Sequence, residues 1–343
     1  MKAPVSFEEV RQPDVRAWRT WNRMVLAALG VACAIPICVN VLIDPYDLFR
    51  VSPIGIGPSL NQRVQHIRHL ESNAGRFNVL LMGTSVMGLA DPRVVDEEVP
   101  GASAYNMSFF VASPTDMLRA SEYLATKGAI PKRVVVGLDT FLFVRRDASL
   151  PKQFALPAEV SGESKVAWWT DAAYTTSITT AVSKLVESSR EVPAIVYDLD
   201  RGNYSLPRSD AAIRLNPTAH AEGVLKPTTP VVPGSLLVET EFDALRQLAE
   251  FFASRDVQVL WIIEPNSVVI RNAYGEQNYR ATMSRIRSQI SGDIVDLSDA
   301  SGFQADPAYW YDMKHPTAQA ARTVLATAIR QSTTFSAERL ALR

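Results

Sequence analysis

The chain is poor in the residues that hold metals and disulfides. Of its 343 residues, two are cysteine and four are histidine. Cys33 and Cys38 alone cannot build a disulfide framework or a paired CxxC metal site. An excess of one charge is also missing: 35 Lys+Arg stand against 36 Asp+Glu, a net charge of -1. Nothing global draws such a chain to nucleic acid. No basic helix or aromatic–basic strip supplies a local attraction, so no nucleic-acid partner is expected. Internal repeats and low-complexity tracts are absent as well. With 47% hydrophobic and 21% charged residues, the composition excludes a disordered, collagen-like or coiled-coil protein. The length leaves room for about two domains, or one large domain with extensions.

One long hydrophobic run is present. Met24 to Ile43 carries no charge over 20 residues, enough to cross roughly 30 Å of hydrocarbon. Pro36 and Asn40 interrupt it, and both are tolerated in membrane helices. Arg16, Arg19 and Arg23 precede the run, interleaved with Trp18 and Trp21, while Asp44 and Asp47 follow. That asymmetry predicts a cytoplasmic N-terminal tail (1–23), a single span (24–43) and a main domain on the far side, in a bacterial periplasm. Three other readings exist. Ala32-Cys33-Ala34 resembles a signal-peptide cleavage site, but the run continues past it, so an uncleaved inner-membrane anchor is expected. A lipoprotein cysteine at Cys33 is disfavoured by Gly30, and a buried globular helix by the flanking charges.

Residues 44–76 read as a connecting segment, punctuated by Pro45, Pro53, Gly55, Gly57 and Pro58. Beyond it, short apolar runs alternate with helical patterns. Strands are expected at 78–82, 104–107, 133–138, 257–263 and 293–297. Their continuous apolar character suits parallel strands covered on both faces. Ser113-Pro114-Thr115-Asp116 carries the signature of a capped helix start. Phe242, Leu245, Leu248, Ala249 and Phe252 form a helical stripe, and Pro316 opens a C-terminal helix. The fold class predicted is α/β, a three-layer doubly wound parallel sheet over 77–331. Residues 145–235 read as an insertion near the site, with a helix near 181–187, and 332–343 as a tail.

In an open α/β sheet, sites form at the carboxyl ends of strands. The first strand ends in Gly83-Thr84-Ser85, which places a serine hydroxyl and its N–H at the mouth of a following helix. That suits a nucleophile with a ready oxyanion donor. A serine needs a base, and His315 stands out within Asp312-Met313-Lys314-His315-Pro316. A three-residue spacing on a tight loop lets Asp312 reach one imidazole nitrogen while the other faces Ser85. Blander readings compete. Ser85 is also a natural helix cap, and Asp312 a natural loop residue. Asp139 and Glu264 end strands and read first as hydrogen-bonded structural acids. His66 and His69 read as surface residues, with no third ligand to make a metal site. Trp168-Trp169 and Tyr309-Trp310-Tyr311 could stack on sugars, but packing is the default. Arg145 and Arg146 read as a solvated loop.

GTS early and DMKHP late in such a domain resemble the SGNH (GDSL-type) hydrolase superfamily. The anchor, IDPYDLF (43–49), YNMSFF and VVVGLDTFLF resemble more closely its membrane-anchored members in bacterial envelope polysaccharide acylation. The resemblance implies a serine-dependent O-acyl (acetyl) transferase or carbohydrate esterase acting on envelope polysaccharide. Ser85 would be nucleophile, His315 base and Asp312 orienter, with no metal or cofactor. A multispanning acyl carrier of the MBOAT class is the implied partner. The family's GxND block is absent: Gly137-Leu138-Asp139-Thr140 occupies its place, Asn106 is the best substitute oxyanion donor, and Asp139 lies beside it at the site edge. A catalytically inactive glycan-binding or scaffold protein of the same fold is the alternative.

Overall fold

The structure is a computed structural model that describes residues 15–49, 60–144, 155–175, 178–226 and 237–335. Five short strands form its centre: β1 (Val79–Met82), β2 (Ala104–Asn106), β3 (Arg133–Leu138), β4 (Gln258–Ile263) and β5 (Asp293–Asp296). They pair in parallel in the order 2-1-3-4-5. All five lie where the apolar runs predict them. The sequence-distant strands β3 and β4 are hydrogen-bonded along their whole length, Arg133 opposite Gln258 through Leu138 opposite Ile263.

Helices cover both faces. In chain order the principal ones are α1 (Val15–Ile43), α2 (Gln62–Ser72), α3 (Ser85–Gly88), α4 (Arg93–Glu98), α5 (Pro114–Thr126), α6 (Lys165–Thr175), α7 (Ile178–Ser188), α8 (Glu239–Ala253), α9 (Glu276–Ser288) and α10 (Ala318–Gln331). Alternate strand residues serve opposite layers, as a pleated strand requires. Leu80, Met82, Val134, Val136 and Ile263 meet α2, α5, α8 and α9. Val79, Leu81, Val135, Ile262 and Val295 meet α4 and α10. The start of α5 carries the expected capping box between Ser113 and Asp116.

Two boundaries differ from expectation. Gln62–Ser72 is a core helix, with Val64, Ile67 and Leu70 buried. Its polar residues hide it in the sequence because Gln62, Arg63, Gln65 and His66 are buried too, each with a partner. The supposed tail also begins inside the core: Ser332 and Phe335 are buried, and Ser332 Oγ donates to Asp293 Oδ2 at 2.5 Å.

α1 is one helix of 29 residues, long and apolar enough to cross a membrane, and almost all of its apolar stretch is exposed. Trp18 and Trp21 stack near its start, ring centres 5.6 Å apart.

Candidate functional site

The order 2-1-3-4-5 reverses direction between β1 and β3. Doubly wound sheets open a crevice at such a switch point, beyond the carboxyl ends of the strands. Residues 83–85 leave β1 at that place. A Cβ on Gly83 would stand 2.6 Å from Met87 Cβ and 3.2 Å from the Gly137 carbonyl of β3, so glycine alone lets the chain turn this tightly. Thr84 caps the turn: its Oγ1 accepts from Val86 N at 3.2 Å and donates to the Asp139 carboxylate. Ser85 follows, half-buried, its carbonyl accepting from the Tyr204 hydroxyl at 2.6 Å. The helix it opens is only four residues long. The strong helix dipole expected behind the serine is therefore missing, because a macrodipole needs several aligned turns.

The second half of the site is a closed loop between Trp310 and Pro316, which form an antiparallel bridge. Tyr311 N donates to His315 O and Thr317 N to Tyr309 O, both at 2.8 Å. Ser267 Oγ donates to the carbonyl of buried Met313 at 2.5 Å. Asp312 Oδ1 accepts from Lys314 N at 2.7 Å and His315 N at 2.8 Å. The carboxylate thus caps the loop with one oxygen and leaves the other for the imidazole.

These two pieces, 230 residues apart in sequence, meet. Ser85 Oγ lies 3.0 Å from His315 Nε2, and His315 Nδ1 lies 2.8 Å from Asp312 Oδ2. A carboxylate at Nδ1 fixes the proton there, so Nε2 presents a lone pair to the serine hydroxyl. Burial alone would raise the Asp312 pKa. The hydrogen bonds from the His315 ring and from the loop amides outweigh it and hold the carboxyl below its usual range. Asp312 is therefore ionised at neutral pH.

Above the triad opens a cleft of ≈ 380 Å³, within the usual range for small-molecule sites. Phe110, Val111, Ile195, Tyr204 and Leu206 form its walls. Val111 has φ +52, a left-handed conformation that is costly for a β-branched residue. Arg63 holds it there. This fully buried guanidinium donates from Nη1 to Phe110 O at 2.9 Å, and from Nη2 to Val111 O at 2.9 Å and Asp116 Oδ2 at 2.7 Å. The N–H groups of Ser85 and Val111 donate to no partner among the described residues.

Two expected site residues take other roles. Asn106 is fully buried, and both hydrogens of its amide are spent on the carbonyls of Met87 (2.8 Å) and Ala90 (2.9 Å). Its oxygen accepts from Ser108 N at 3.0 Å. It braces the turn behind Ser85 and has no proton to offer an oxyanion. Asp139 is buried beneath the site, tied to Thr84 and accepting from Phe141 N at 2.7 Å. Burial raises its pKa despite those bonds. It positions the residue before the serine and does not reach the cleft. Glu264 is likewise buried, pushed well above the normal glutamate range by burial and by the Asp139 charge.

His66 is not a surface residue. It is buried, with Nδ1 2.8 Å from Tyr105 Oη, and His69 stacks on the same ring. Burial, with His69 adding, lowers the His66 pKa to about 3, so the ring is neutral. No cluster of three or more His, Cys, Asp or Glu able to hold a metal occurs among the described residues. Trp168 packs, buried, with Nε1 on Leu156 O at 2.9 Å, and Trp310 is buried too. Arg145 and Arg146 lie outside the described residues.

Sequence reasoning missed Tyr204, Val111 and Arg63. Tyr204 sits on a small ribbon, Val196–Tyr197 against Tyr204–Ser205. The intervening Asp-Leu-Asp-Arg-Gly-Asn is a turn signal, but strands of two residues show no alternation. No motif announces a buried arginine or a valine with positive φ. No family model and no curated protein matches the chain.

Proposed function

We propose that this chain is a membrane-anchored, SGNH-like serine acyl-transfer enzyme that moves an acyl group, acetyl by preference, on envelope polysaccharide. The observation that carries the reading is the continuous Ser85–His315–Asp312 hydrogen-bond chain at the mouth of an apolar-walled cleft. Ser85 Oγ attacks the carbonyl of an acyl ester while His315 Nε2 takes its proton, and Asp312 stabilises the imidazolium that results. The N–H groups of Ser85 and Val111 are the available donors for the oxyanion. Collapse of the tetrahedral species passes the proton from Nε2 to the departing alcohol and leaves an acyl-Ser85. An acceptor hydroxyl then enters: His315 takes its proton, its oxygen attacks the acyl carbon, and the serine hydroxyl is restored. With a sugar hydroxyl as acceptor the result is transfer, and with water it is hydrolysis.

α1 would serve as an uncleaved anchor. Arg16, Arg19 and Arg23 at its start favour an N-terminus in the cytoplasm and a catalytic domain in the periplasm. A multispanning acyl carrier of the MBOAT class is the donor partner this reading implies. The second reading is a non-catalytic glycan-binding or scaffold protein. It draws on one observation, that Asn106 has no free amide hydrogen and cannot serve as a side-chain oxyanion donor.

Acetyl-ester cleavage and acetyl transfer to an oligosaccharide by the full-length protein, compared with Ser85→Ala, separate the two. Loss of both activities supports the enzyme; equal activities overturn it. Unaltered polysaccharide acylation in cells carrying only Ser85→Ala supports the scaffold.

A further inference from the structure

The last two turns of α1 do not stand free. From Pro36 to Ile43 its surface is partly covered, and the cover is the helix pair α6 and α7. Asn40 is buried in that contact and donates from Nδ2 to Ala173 O at 2.5 Å. Lys184 of α7 donates from Nζ to the carbonyl of Ile43 (3.0 Å), at the helix end, and to that of Asp44 (2.6 Å), which also accepts from Asp47 N at 3.0 Å.

The burial of α7 is inverted. Ala181 and Lys184 face inward, whereas Val182, Leu185 and Val186 are 49%, 40% and 51% exposed. On α6, Val166 and Tyr174 are exposed at a spacing of eight residues, two turns along one stripe. A helix that hides its lysine and shows its valines is built for surroundings other than water. Both helices pack on the end of α1, whose apolar stretch is itself largely exposed. Eight residues rise about 12 Å, and the whole run from Met24 to Ile43 about 30 Å. If that run fills the hydrocarbon layer, the pair lies level with its outer third and with the headgroups above it.

We propose that α6 and α7 form a second membrane contact, a helix pair set into the headgroup–acyl boundary of the bilayer that α1 crosses. It rests on the reading of α1 as a span. Several features then share one cause. Asn40, the polar residue within the span, donates its amide to α6 and is hidden from lipid. Trp169 lies against Phe49, with Arg68 over its ring at 5.6 Å, an aromatic–cation cluster of the kind found at membrane interfaces. The chain leaving α7 runs directly to Ile195, Tyr204 and Leu206 of the cleft wall, so a fixed helix pair also fixes the height of Ser85 above the lipid.

The test uses the full chain in nanodiscs of phosphatidylcholine and phosphatidylglycerol. In a Cys33→Ser/Cys38→Ser background, Val182→Cys and, separately, Val186→Cys carry a polarity-sensitive nitrobenzoxadiazole label. Arg280→Cys on α9 is the solvent control, and native Cys33 in Cys38→Ser reports on α1. Brominated lipid and aqueous iodide serve as quenchers, and a cooperative unfolding transition certifies each labelled protein. The expected result is a blue-shifted label at 182 and 186 that loses most of its emission to brominated lipid and little to iodide, as Cys33 does, with the reverse at 280. Labels at 182 and 186 quenched by iodide like that at 280, beside a lipid-quenched Cys33, overturn the helix-pair contact and make the stripe a docking face for another protein. A Cys33 label untouched by brominated lipid overturns the span itself.

Discussion

Replacing Asp312 by Asn isolates what the carboxylate does. Asp312 accepts three hydrogen bonds: from Lys314 N at 2.7 Å, His315 N at 2.8 Å and His315 Nδ1 at 2.8 Å. The carboxamide oxygen of Asn can keep the two amide bonds, so the loop between Trp310 and Pro316 stays closed. Its NH2 group then faces Nδ1 and demands an acceptor there. The imidazole proton moves to Nε2, which now points an N–H at Ser85 Oγ and cannot take its proton. The expected loss is about 10³–10⁴-fold in kcat/KM, the size seen when a triad keeps its shape but holds the wrong tautomer. That is about 4–5.5 kcal/mol at 1.36 kcal/mol per decade. Stability should change little, since the side chain is 54% exposed and its charge pairing is screened. The depressed Asp312 pKa contributes stability above the ordinary aspartate value of about 3.9, lost as the pH falls through the folded value. The Asn variant should lack that small acid-side slope. Hydrolysis of 4-nitrophenyl acetate, with thermal unfolding in parallel, reads both. A folded Asn variant with near wild-type kcat/KM would falsify the orienting role.

Three further outcomes follow from neighbouring residues. Asn106→Ala strands the carbonyls of Met87 and Ala90 and the Ser108 N–H, at about 1–3 kcal/mol each when buried. It should lower the urea midpoint markedly; unchanged stability with reduced kcat would instead make Asn106 an oxyanion donor. Glu264→Gln removes a buried carboxyl whose raised pKa makes the folded state lose stability as the pH rises above the ordinary glutamate value of about 4.3. The Gln protein should have a higher Tm at neutral pH and a flatter Tm–pH curve, and equal slopes would contradict this. Gly202 has φ +83, and a Cβ there would lie 2.0 Å from Asn106 O. Gly202→Ala should displace the ribbon that carries Tyr204 and cost at least about 2 kcal/mol, visible as a lower Tm together with slower acylation of Ser85.

The legibility of this chain follows burial chemistry. β3 was readable because Arg133–Leu138 carries three consecutive valines, and β4 because residues 259–263 are apolar without a break. The meeting of Ser85, Asp312 and His315 was readable because few histidines compete and because Asp-x-x-His on a loop has one obvious geometry. α2 was not, because Gln62, Arg63, Gln65 and His66 look solvated until their partners are known. Asn106 and Asp139 were misassigned for one reason: a polar side chain beside a site reads as functional, while whether its hydrogens are already spent depends on atoms far away in sequence. Met87 and Ala90 claim Asn106, and Thr84 claims Asp139. The four-residue length of α3 escaped as well, since nothing in Val-Met-Gly-Leu marks a helix that stops after one turn.

The most direct test of the serine–histidine–aspartate assignment is mass-resolved labelling of the folded full-length protein with a fluorophosphonate. The expected result is one covalent adduct on the peptide that contains Ser85, none in Ser85→Ala, and slow labelling in a folded His315→Ala. A folded wild-type protein that stays unlabelled, or a Ser85→Ala protein labelled as fast as wild type, would contradict it.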